Sequence, residues 1–266
     1  MQENLYGGGR KIPVVAKGDG LRETSRKLKD ARLIRDQVAF FLLERFFIKE
    51  SLQAGSFKLS SSLSAVEIAK KLTLGTEDVW ITIPEGWRSE QILEYLGKQG
   101  DWKKDEGKYF PETYLIPKQM ELEDIRQLML KTFQQKVPKI TKEQLIVASM
   151  IEREAKTETD RPLVASVIYN RLAAGMALDI DATVQYALGF WKKDLILEDL
   201  KTKSPYNTYI NPGLPPAPIS NPGLASIQAA INPAKTNYLF YLTDKTGLTH
   251  FAKTLEEHSQ NVAKYL

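Results

Sequence analysis

Residues 141–175 read TKEQLIVASMIEREAKTETDRPLVASVIYNRLAAG and predict two consecutive helices that decide the fold. Thr141 can cap the first helix, and the run LIVASMI (145–151) is apolar or small on every side, which is typical of a buried central helix. The next helix has its own start and stop signals: Asp160 as N-cap, Pro162 in the first turn and Gly175 just past the end. The sequence therefore predicts a buried central helix over 143–154, followed by a second helix.

The sequence on either side of this pair predicts further helices and short strands, and therefore an α+β fold. A strand within 10–20 and three helices form a small first module, whose last helix (65–74) ends before Gly75. We expect the domain boundary near residue 78 and a larger α+β domain over 79–266. That domain should contain a strand at 79–87, helices at 89–96 with Ser89 as N-cap, at 122–135 and at 226–231, a strand pair around Lys245-Thr246-Gly247, and a C-terminal helix.

Two stretches of the larger domain carry no clear helical pattern. LDIDATVQYALG (178–189) predicts a short loop or strand at Asp181 and Thr183. SPYNTYINPGLPPAPISNPG (204–223) is rich in proline, glycine and asparagine, and a stretch of that length is usually a functional loop or disordered. Its anchors Tyr206, Tyr209 and Leu214 favour an ordered loop.

The composition excludes several classes of protein. The 266 residues are 42% hydrophobic and 26% charged, which excludes collagen-like and wholly disordered chains. The net charge of +4 is small and dispersed, whereas nucleic-acid binders usually carry a dense basic stripe, so we expect no nucleic-acid partner. The absence of cysteine excludes disulfides, thiolate zinc sites and a cysteine nucleophile, and two histidines without metal-ligand spacing lead us to expect neither metal nor cofactor.

The N-terminal residues 1–9, MQENLYGGG, partly resemble the remnant of a protease tag with a glycine spacer, and they take no part in the fold prediction. No segment approaches the roughly 18 apolar residues needed to cross a bilayer. The longest apolar run, VAFFLL (38–43), is cut off by Glu44 and Arg45. We expect that the natural protein carries an N-terminal membrane anchor that this sequence lacks.

Two carboxylates end the buried helix, and either could carry acid chemistry. Glu154 terminates an apolar stripe that it shares with Val147, Met150 and Ile151. Desolvation there would raise the pKa of Glu154 and keep it protonated as a general acid. Glu152 lies on another face, with Leu145, Ala148 and Ser149, and helix geometry alone does not choose between the two. A reading in which both are solvated and paired with Arg153 or Arg161 also stays open.

Further polar candidates follow along the chain. Asn170 and Arg171 end the second helix, where a cation suits the C-terminal dipole. Asp181 could simply stabilise a turn. The run Tyr206-Asn207-Thr208-Tyr209 combines rings for stacking with amides for hydroxyl groups, which is typical of sugar binding and equally of a rigid loop.

The block ASMIEREAKTETDRPLVASVIYNRLAAGMALDIDATVQYALG (148–189) resembles the central block of the endolytic murein transglycosylases, the MltG or YceG-like family. SPYNTY, GLPPAPISNPG, INPAKTNYLFYL and THFAKTLEEH match later blocks in the same order, and PEGW (84–87) and FPETY (110–114) match earlier ones. QAGSFKLSSSLSAVEIAKKLTLG resembles the LysM-like subdomain before the catalytic domain. The resemblance covers about residues 12–266. Two positions depart from it: the family commonly has proline at Ala182 and glycine at Ala217.

The resemblance implies a lyase that needs no cofactor and cleaves the β-1,4 bond between N-acetylmuramic acid and N-acetylglucosamine within peptidoglycan strands. It adds no water and leaves 1,6-anhydro-muramic ends, which terminate the strand. The family's catalytic glutamate falls on Glu154, acting first as acid and then as base, so that no second carboxylate is required. The residues implied to line or brace the glycan groove are Asn170, Arg171, Asp181, Thr183, Asn207, Thr208 and Tyr209.

The implied partners are peptidoglycan glycan strands and, beyond them, peptidoglycan synthases. The implied location is the bacterial cell envelope, at the outer face of the cytoplasmic membrane. Two alternatives stay open: a lysozyme-like hydrolase with Asp181 as second carboxylate, and a non-catalytic wall-binding protein that holds glycan through the LysM-like module and the aromatic loop. Analysis of the digestion products distinguishes all three.

Overall fold

The structure, a computed structural model, describes residues 14–15, 19–48, 52–53, 55–57, 59–74, 78–118, 120–137, 139–190, 192 and 194–266. Helices and short antiparallel strand pairs confirm the predicted α+β class. The chain divides into two compact units, the first extending to Thr82 and including Thr113–Leu128, the second comprising Ile83–Glu112 and Met129–Leu266. The tag-like residues 1–9, Gly75 and most of the predicted strand 10–20 lie outside the described residues.

The first unit combines helices with two short antiparallel strand pairs. Its elements are β1 (Val14–Val15), α1 (Leu21–Asp30), α2 (Gln37–Leu43) with a π-helical continuation (Glu44–Ile48), β2 (Gly55–Ser56), α3 (Ala65–Thr73), β3 (Asp78–Thr82), β4 (Thr113–Pro117) and the start of α5 (Leu122–Lys136). β1 pairs with β2, and β3 pairs with β4. α3 begins at a capping box between Ser64 and Glu67, and its buried residues Ile68, Ala69 and Leu72 pack in the core of this unit.

The second unit is built around the helix predicted to be central. Its elements are α4 (Ser89–Tyr95), the end of α5, α6 (Lys142–Glu154), α7 (Arg161–Ala173), α8 (Asp181–Leu188), α9 (Leu224–Ile231), β5 (Phe240–Thr243), β6 (Thr249–Ala252) and α10 (Leu255–Tyr265), with single 3-10 turns at Lys103–Asp105 and Asp199–Lys201. α6 starts at a capping box between Thr141 and Gln144, as the cap prediction requires, and all of 145–151 is buried. α7 and α9 pack against α6. None of the helices in the described residues has the length and apolar character to span a membrane.

Two local predictions in this unit are wrong. Asp181 and Thr183 lie in the helix α8, not in a loop or strand, because residues 182–185 are buried in succession and Gly189 ends the helix with a φ of 77°. Ser89 is the first residue of α4 rather than its cap, and its hydroxyl donates to Glu106. Asp160 occupies the N-cap position of α7, as predicted, although its side chain makes no capping hydrogen bond and its carboxylate accepts the hydroxyl of Thr249.

The loop 204–223 is ordered, as its aromatic anchors predicted, and Asn221 holds it in place. The side-chain oxygen of Asn221 accepts the backbone N–H groups of Gly107 and Tyr109, each at 2.9 Å, and its amide nitrogen donates to Glu106 at 2.8 Å. Pro218 packs on Gly107 so closely that a Cβ there would lie 2.7 Å from the proline ring, and Gly107 also has a φ of +89°. The loop can therefore approach this segment only because residue 107 is glycine.

The same loop is also fixed to the central helix. The backbone N–H of Ile219 donates to the hydroxyl of Ser149, and the hydroxyl of Ser220 donates to the Ser149 carbonyl oxygen. Ser149 is fully buried in α6, so its small side chain gives the loop close access to the helix backbone. Both contacts hold the proline-rich loop against the helix that ends at Glu154.

Candidate active site

Glu154 is the last residue of α6, and its carboxylate lies among groups from α8 and β5. The hydroxyl of Tyr241 donates to Glu154 Oε2 at 3.0 Å, and the backbone N–H of Ala182 also donates to this carboxylate. Burial raises the pKa of Glu154 and nearby Asp181 raises it further, whereas the hydrogen bonds from Tyr241 and Ala182 lower it. The net direction is upward, which favours a protonated acid.

Tyr241 is the polar side chain that sequence reasoning missed. Burial and the neighbouring Glu154 raise the pKa of Tyr241 well above its ordinary value, so its hydroxyl stays a donor. The residue lies in β5 opposite Phe251 of β6, and 87 residues separate it from Glu154. The only sequence signal was the aromatic strand YLFYL, whose alternation predicts a strand but not the partner of any one ring.

Asn170 and Arg171, predicted near the groove, fix the chain that leads into β5. The amide nitrogen of Asn170 donates to the carbonyl oxygens of Thr236 and Tyr238, each at 2.9 Å. Arg171 Nε donates to the carbonyl oxygen of Leu239 at 2.6 Å, and its Nη1 reaches the carbonyl of Leu178 at 2.8 Å. Two residues late in α7 therefore set the position of the strand that carries Tyr241.

Thr183 and Thr208 join α8 to the aromatic loop within the protein interior. Their hydroxyls lie 3.0 Å apart, and both side chains are almost completely buried. Thr208 Oγ1 accepts the backbone N–H of Ile180, while Thr183 Oγ1 donates to the Ile180 carbonyl oxygen. These contacts fix the first turn of α8, and thereby the Ala182 N–H that faces Glu154.

Asn207 is also fully buried and serves the loop itself. Its amide nitrogen donates to the carbonyl oxygens of Leu200 and Thr202, and its side-chain oxygen accepts the N–H of Tyr209. Asp181 differs from these internal residues because it is exposed, and Tyr209 donates to its carboxylate at 2.6 Å. Of the seven predicted groove residues, Asp181 is therefore the one with an exposed carboxylate near Glu154, whose pKa it raises. Tyr209 holds that carboxylate through its hydroxyl.

Glu152, the other candidate acid, has a different environment. Its side chain is 7% exposed, its Oε2 accepts the backbone N–H of Gly223 at 2.9 Å, and Arg161 lies 3.7 Å away. Glu85 approaches the same place, where a Cβ on Gly223 would lie 1.9 Å from the Glu85 carboxylate. Glu152 therefore holds the loop before α9, whereas Glu154 faces α8 and β5.

In the part of the chain that the structure describes, no three or more histidine, aspartate or glutamate side chains are grouped so that they could hold a metal ion. The groups around Glu154 are a phenol, a backbone N–H and a second carboxylate. The phenol and the N–H hold the Glu154 carboxyl group, whose raised pKa suits it to give a proton to a bound molecule.

Comparisons with known proteins agree on one family. Residues 14–264 match the sequence profile of the YceG-like family. A Bacillus subtilis protein named endolytic murein transglycosylase is 34% identical over 95% of this chain and 84% of its own length. A Streptococcus pneumoniae protein of the same name is 27% identical over 95% of this chain, which spans 58% of that longer protein.

A crystal structure of a YceG-like protein from Listeria monocytogenes has the same fold. It is 30% identical in sequence and superimposes with a TM-score of 0.62, covering 94% of this chain and 98% of the Listeria chain. Because the family profile and these relatives cover nearly all of its length, the chain belongs to the YceG-like family.

Proposed function

We propose that this chain is a lytic transglycosylase that cleaves the β-1,4 bond between N-acetylmuramic acid and N-acetylglucosamine within peptidoglycan strands. The names of the Bacillus and pneumococcal relatives support murein as the substrate. The single observation that carries the proposal is the placement of Glu154, a partly buried carboxyl group of raised pKa that Tyr241 and Ala182 hold in position. Such a group is suited to begin the reaction as an acid.

In the proposed reaction, Glu154 gives its proton to the glycosidic oxygen as the bond from C1 of the muramic residue to that oxygen breaks. The N-acetylglucosamine half leaves with a free hydroxyl group. The Glu154 carboxylate then takes the proton of the C6 hydroxyl of the same muramic residue, whose oxygen bonds to C1. One carboxyl group is restored, no water is consumed, and a 1,6-anhydro ring results.

The hydrogen bonds to Glu154 suit both halves of this cycle. Tyr241 and the Ala182 N–H donate to the carboxylate and so stabilise the form that must accept the second proton. Burial stabilises the protonated form that starts the reaction. The attacking hydroxyl belongs to the substrate, so its high effective concentration replaces a second catalytic carboxylate. Asn170, Arg171, Thr183, Asn207 and Thr208 act as braces of this site in our proposal, and Asp181 with Tyr209 borders the glycan.

Mass spectrometry of peptidoglycan digested in water enriched in heavy oxygen tests this proposal. The wild-type chain should release ends that are lighter than hydrolysed ends by one water molecule and carry no heavy oxygen. Glu154→Gln should slow release by about 10²–10⁴-fold, because the amide keeps the shape but neither gives nor takes the proton. Unlabelled anhydro ends produced at full rate by Glu154→Gln would overturn the assignment of the acid.

A second candidate is a hydrolase that uses Asp181 beside Glu154. The observation that favours it is the exposed Asp181 carboxylate, which lies close enough to raise the pKa of Glu154. A carboxylate in that position could activate water or stabilise the sugar cation. Heavy oxygen at the new reducing ends, together with loss of activity in Asp181→Asn, would establish this reading and exclude the lytic one.

We propose that the protein acts in the bacterial cell envelope, at the outer face of the cytoplasmic membrane, because its proposed substrate is peptidoglycan. We propose that residues 10–78 serve as a LysM-like glycan-binding module and that the natural protein is held by an N-terminal membrane helix beside peptidoglycan synthases. Crosslinking in cells to neighbouring envelope proteins would test the synthase partnership.

A further inference from the structure

Asp181 carries an exposed carboxylate beside the proposed acid. It is the first residue of α8, and the N–H of the next residue, Ala182, donates to the Glu154 carboxylate. Covalent geometry and the length of a hydrogen bond therefore place the Asp181 Cα within about 6 Å of a Glu154 oxygen. The two carboxyl groups then lie within about 9 Å of each other, the range over which the paired carboxyl groups of glycosidases face one sugar ring.

The charge of Asp181 is not neutralised by the protein. Arg171, late in α7, forms its ion pair with Asp179 at 3.1 Å. The exposed cation Lys156, two residues after Glu154, lowers the pKa of Glu154. Within the part of the chain that the structure describes, neither of these cations nor any other forms an ion pair with Asp181, and only its Oδ1 accepts a hydrogen bond. The Oδ2 oxygen is therefore available to a bound molecule.

Tyr209 fixes the direction of the Asp181 carboxylate. Its hydroxyl donates to Asp181 Oδ1 at 2.6 Å, and because burial and Asp181 raise the pKa of Tyr209, this hydroxyl stays a donor. The backbone N–H of Tyr209 is held in turn by the side-chain oxygen of Asn207, which is fully buried. A charge fixed in this way needs no reorganisation when the reaction begins, which is the property that electrostatic catalysis requires.

We propose that Asp181, oriented by Tyr209, is a further catalytic residue, whose carboxylate faces the muramic ring and stabilises the positive charge that forms there when the glycosidic bond breaks. This inference rests on the proposed function and deepens it by adding an electrostatic role to the acid and base roles of Glu154. As the bond from C1 breaks, its electron pair stays on the oxygen that receives the Glu154 proton, and C1 and the ring oxygen share a positive charge. The C6 oxygen then bonds to C1 and removes that charge, so Asp181 forms no bond and transfers no proton.

The test measures kcat and KM of Asp181→Asn on purified glycan strands over a range of pH, with the products identified by mass. The amide can still accept the Tyr209 hydroxyl but carries no charge. Because Asp181 raises the pKa of Glu154, the basic limb of the variant should move to lower pH, so rates are compared on the plateau below both limbs, where Glu154 is protonated in each protein. On that plateau kcat should fall by about 10²–10³-fold with little change in KM, and the new ends should remain 1,6-anhydro ends.

Three further variants complete the test. Asp181→Glu keeps the charge and should regain part of the plateau rate. Tyr209→Phe releases the carboxylate without removing its charge, so its plateau kcat should fall, but by less than that of Asp181→Asn. The exposed control Asp194→Asn removes a carboxylate elsewhere in the second unit and should keep the wild-type rate.

A wild-type plateau rate in Asp181→Asn overturns the proposal, because Asp181 would then act only on the pKa of Glu154. A rise in KM at unchanged kcat overturns it as well, because Asp181 would then only hold the glycan. If Asp181→Asn fails to fold in circular dichroism, Tyr209→Phe decides, and an unchanged plateau kcat in that variant overturns the proposal. Hydrolysed ends released by the wild-type chain would count against the proposed reaction and not against the electrostatic role of Asp181.

Discussion

At the scale of single residues, substitutions of the two glutamates near the end of α6 should have different effects. Substitution of Glu154 should reduce catalysis, and substitution of Glu152 should reduce stability. Glu154→Gln should lower kcat by about 10²–10⁴-fold, because the acid and base steps both pass through this group. Glu152→Gln should leave kcat nearly intact and lower the free energy of unfolding by about 1 kcal/mol, since its charge faces Arg161 and its oxygen binds the Gly223 N–H. Initial rates and urea unfolding of both variants check this, and a large loss of kcat in Glu152→Gln would contradict the division.

Ala182 allows a prediction about the pH dependence of activity. Proline here would remove the N–H that donates to Glu154, and it is tolerable in the first turn of α8 because no helical hydrogen bond is lost there. That hydrogen bond lowers the pKa of Glu154, so Ala182→Pro should raise it further. The basic limb of the kcat/KM profile, where the acid loses its proton, should move to higher pH. Ala217→Gly serves as the control and should leave the limb in place.

At the scale of elements, the bracing of β5 by α7 should affect both stability and rate. Arg171→Gln removes hydrogen bonds to the carbonyl oxygens of Leu239 and Leu178, which should lower the free energy of unfolding by about 2–3 kcal/mol. The rate should fall as well, because β5 positions Tyr241 against Glu154. Tyr241→Phe removes only the hydroxyl and should lower the rate with a smaller change in stability. Equal stability of Arg171→Gln and wild type in urea unfolding would show that β5 does not depend on this brace.

Glu106 should make the stability of the second unit depend on pH. Burial raises the pKa of Glu106 from 4.5 to about 7, so the folded state binds this proton more tightly than the unfolded state. Its contribution to stability is fully present below the unfolded pKa and is lost as the pH rises through about 7, a change of at most about 3 kcal/mol. Glu106→Gln should flatten the fall in unfolding free energy between about pH 5 and pH 7. The exposed control Glu94→Gln should retain the wild-type slope in urea unfolding at the two pH values.

These elements also show why part of the fold and site was predictable. α6 and α7 carry local signals, namely a cap, an apolar run and a closing glycine, so their bounds followed from the sequence. The helix α8 could not be predicted in this way, because Thr183 and Val184 favour strands. It is stabilised instead by the burial of four successive residues, 182–185. Glu154 could be found from its helical face, whereas Tyr241 and the Asn221 contacts join residues far apart in the chain. Such pairings depend on packing that no local pattern encodes.

At the scale of the whole molecule, neither compact unit is a continuous stretch of the chain. The chain leaves the first unit after Thr82, returns to it at Thr113, and leaves it again after Leu128. The strands β3 and β4 of the first unit therefore come from either side of the segment 83–112 of the second. A cut near residue 78 does not remove the first unit completely, since it leaves β4 and its partner β3 attached.

The fragment 79–266 should nevertheless fold, because it retains every residue of the core built on α6, α7 and α9. We expect one cooperative thermal transition by circular dichroism, native-like protection of α6 from hydrogen exchange, and weaker binding to glycan than that of the full chain. The β3–β4 pair should lose protection, since two strands alone are marginal in water. The matched fragment 83–266 lacks β3 entirely and leaves β4 without its partner, so it should be less soluble. A fragment 79–266 that shows no cooperative transition would mean that the two units fold only together.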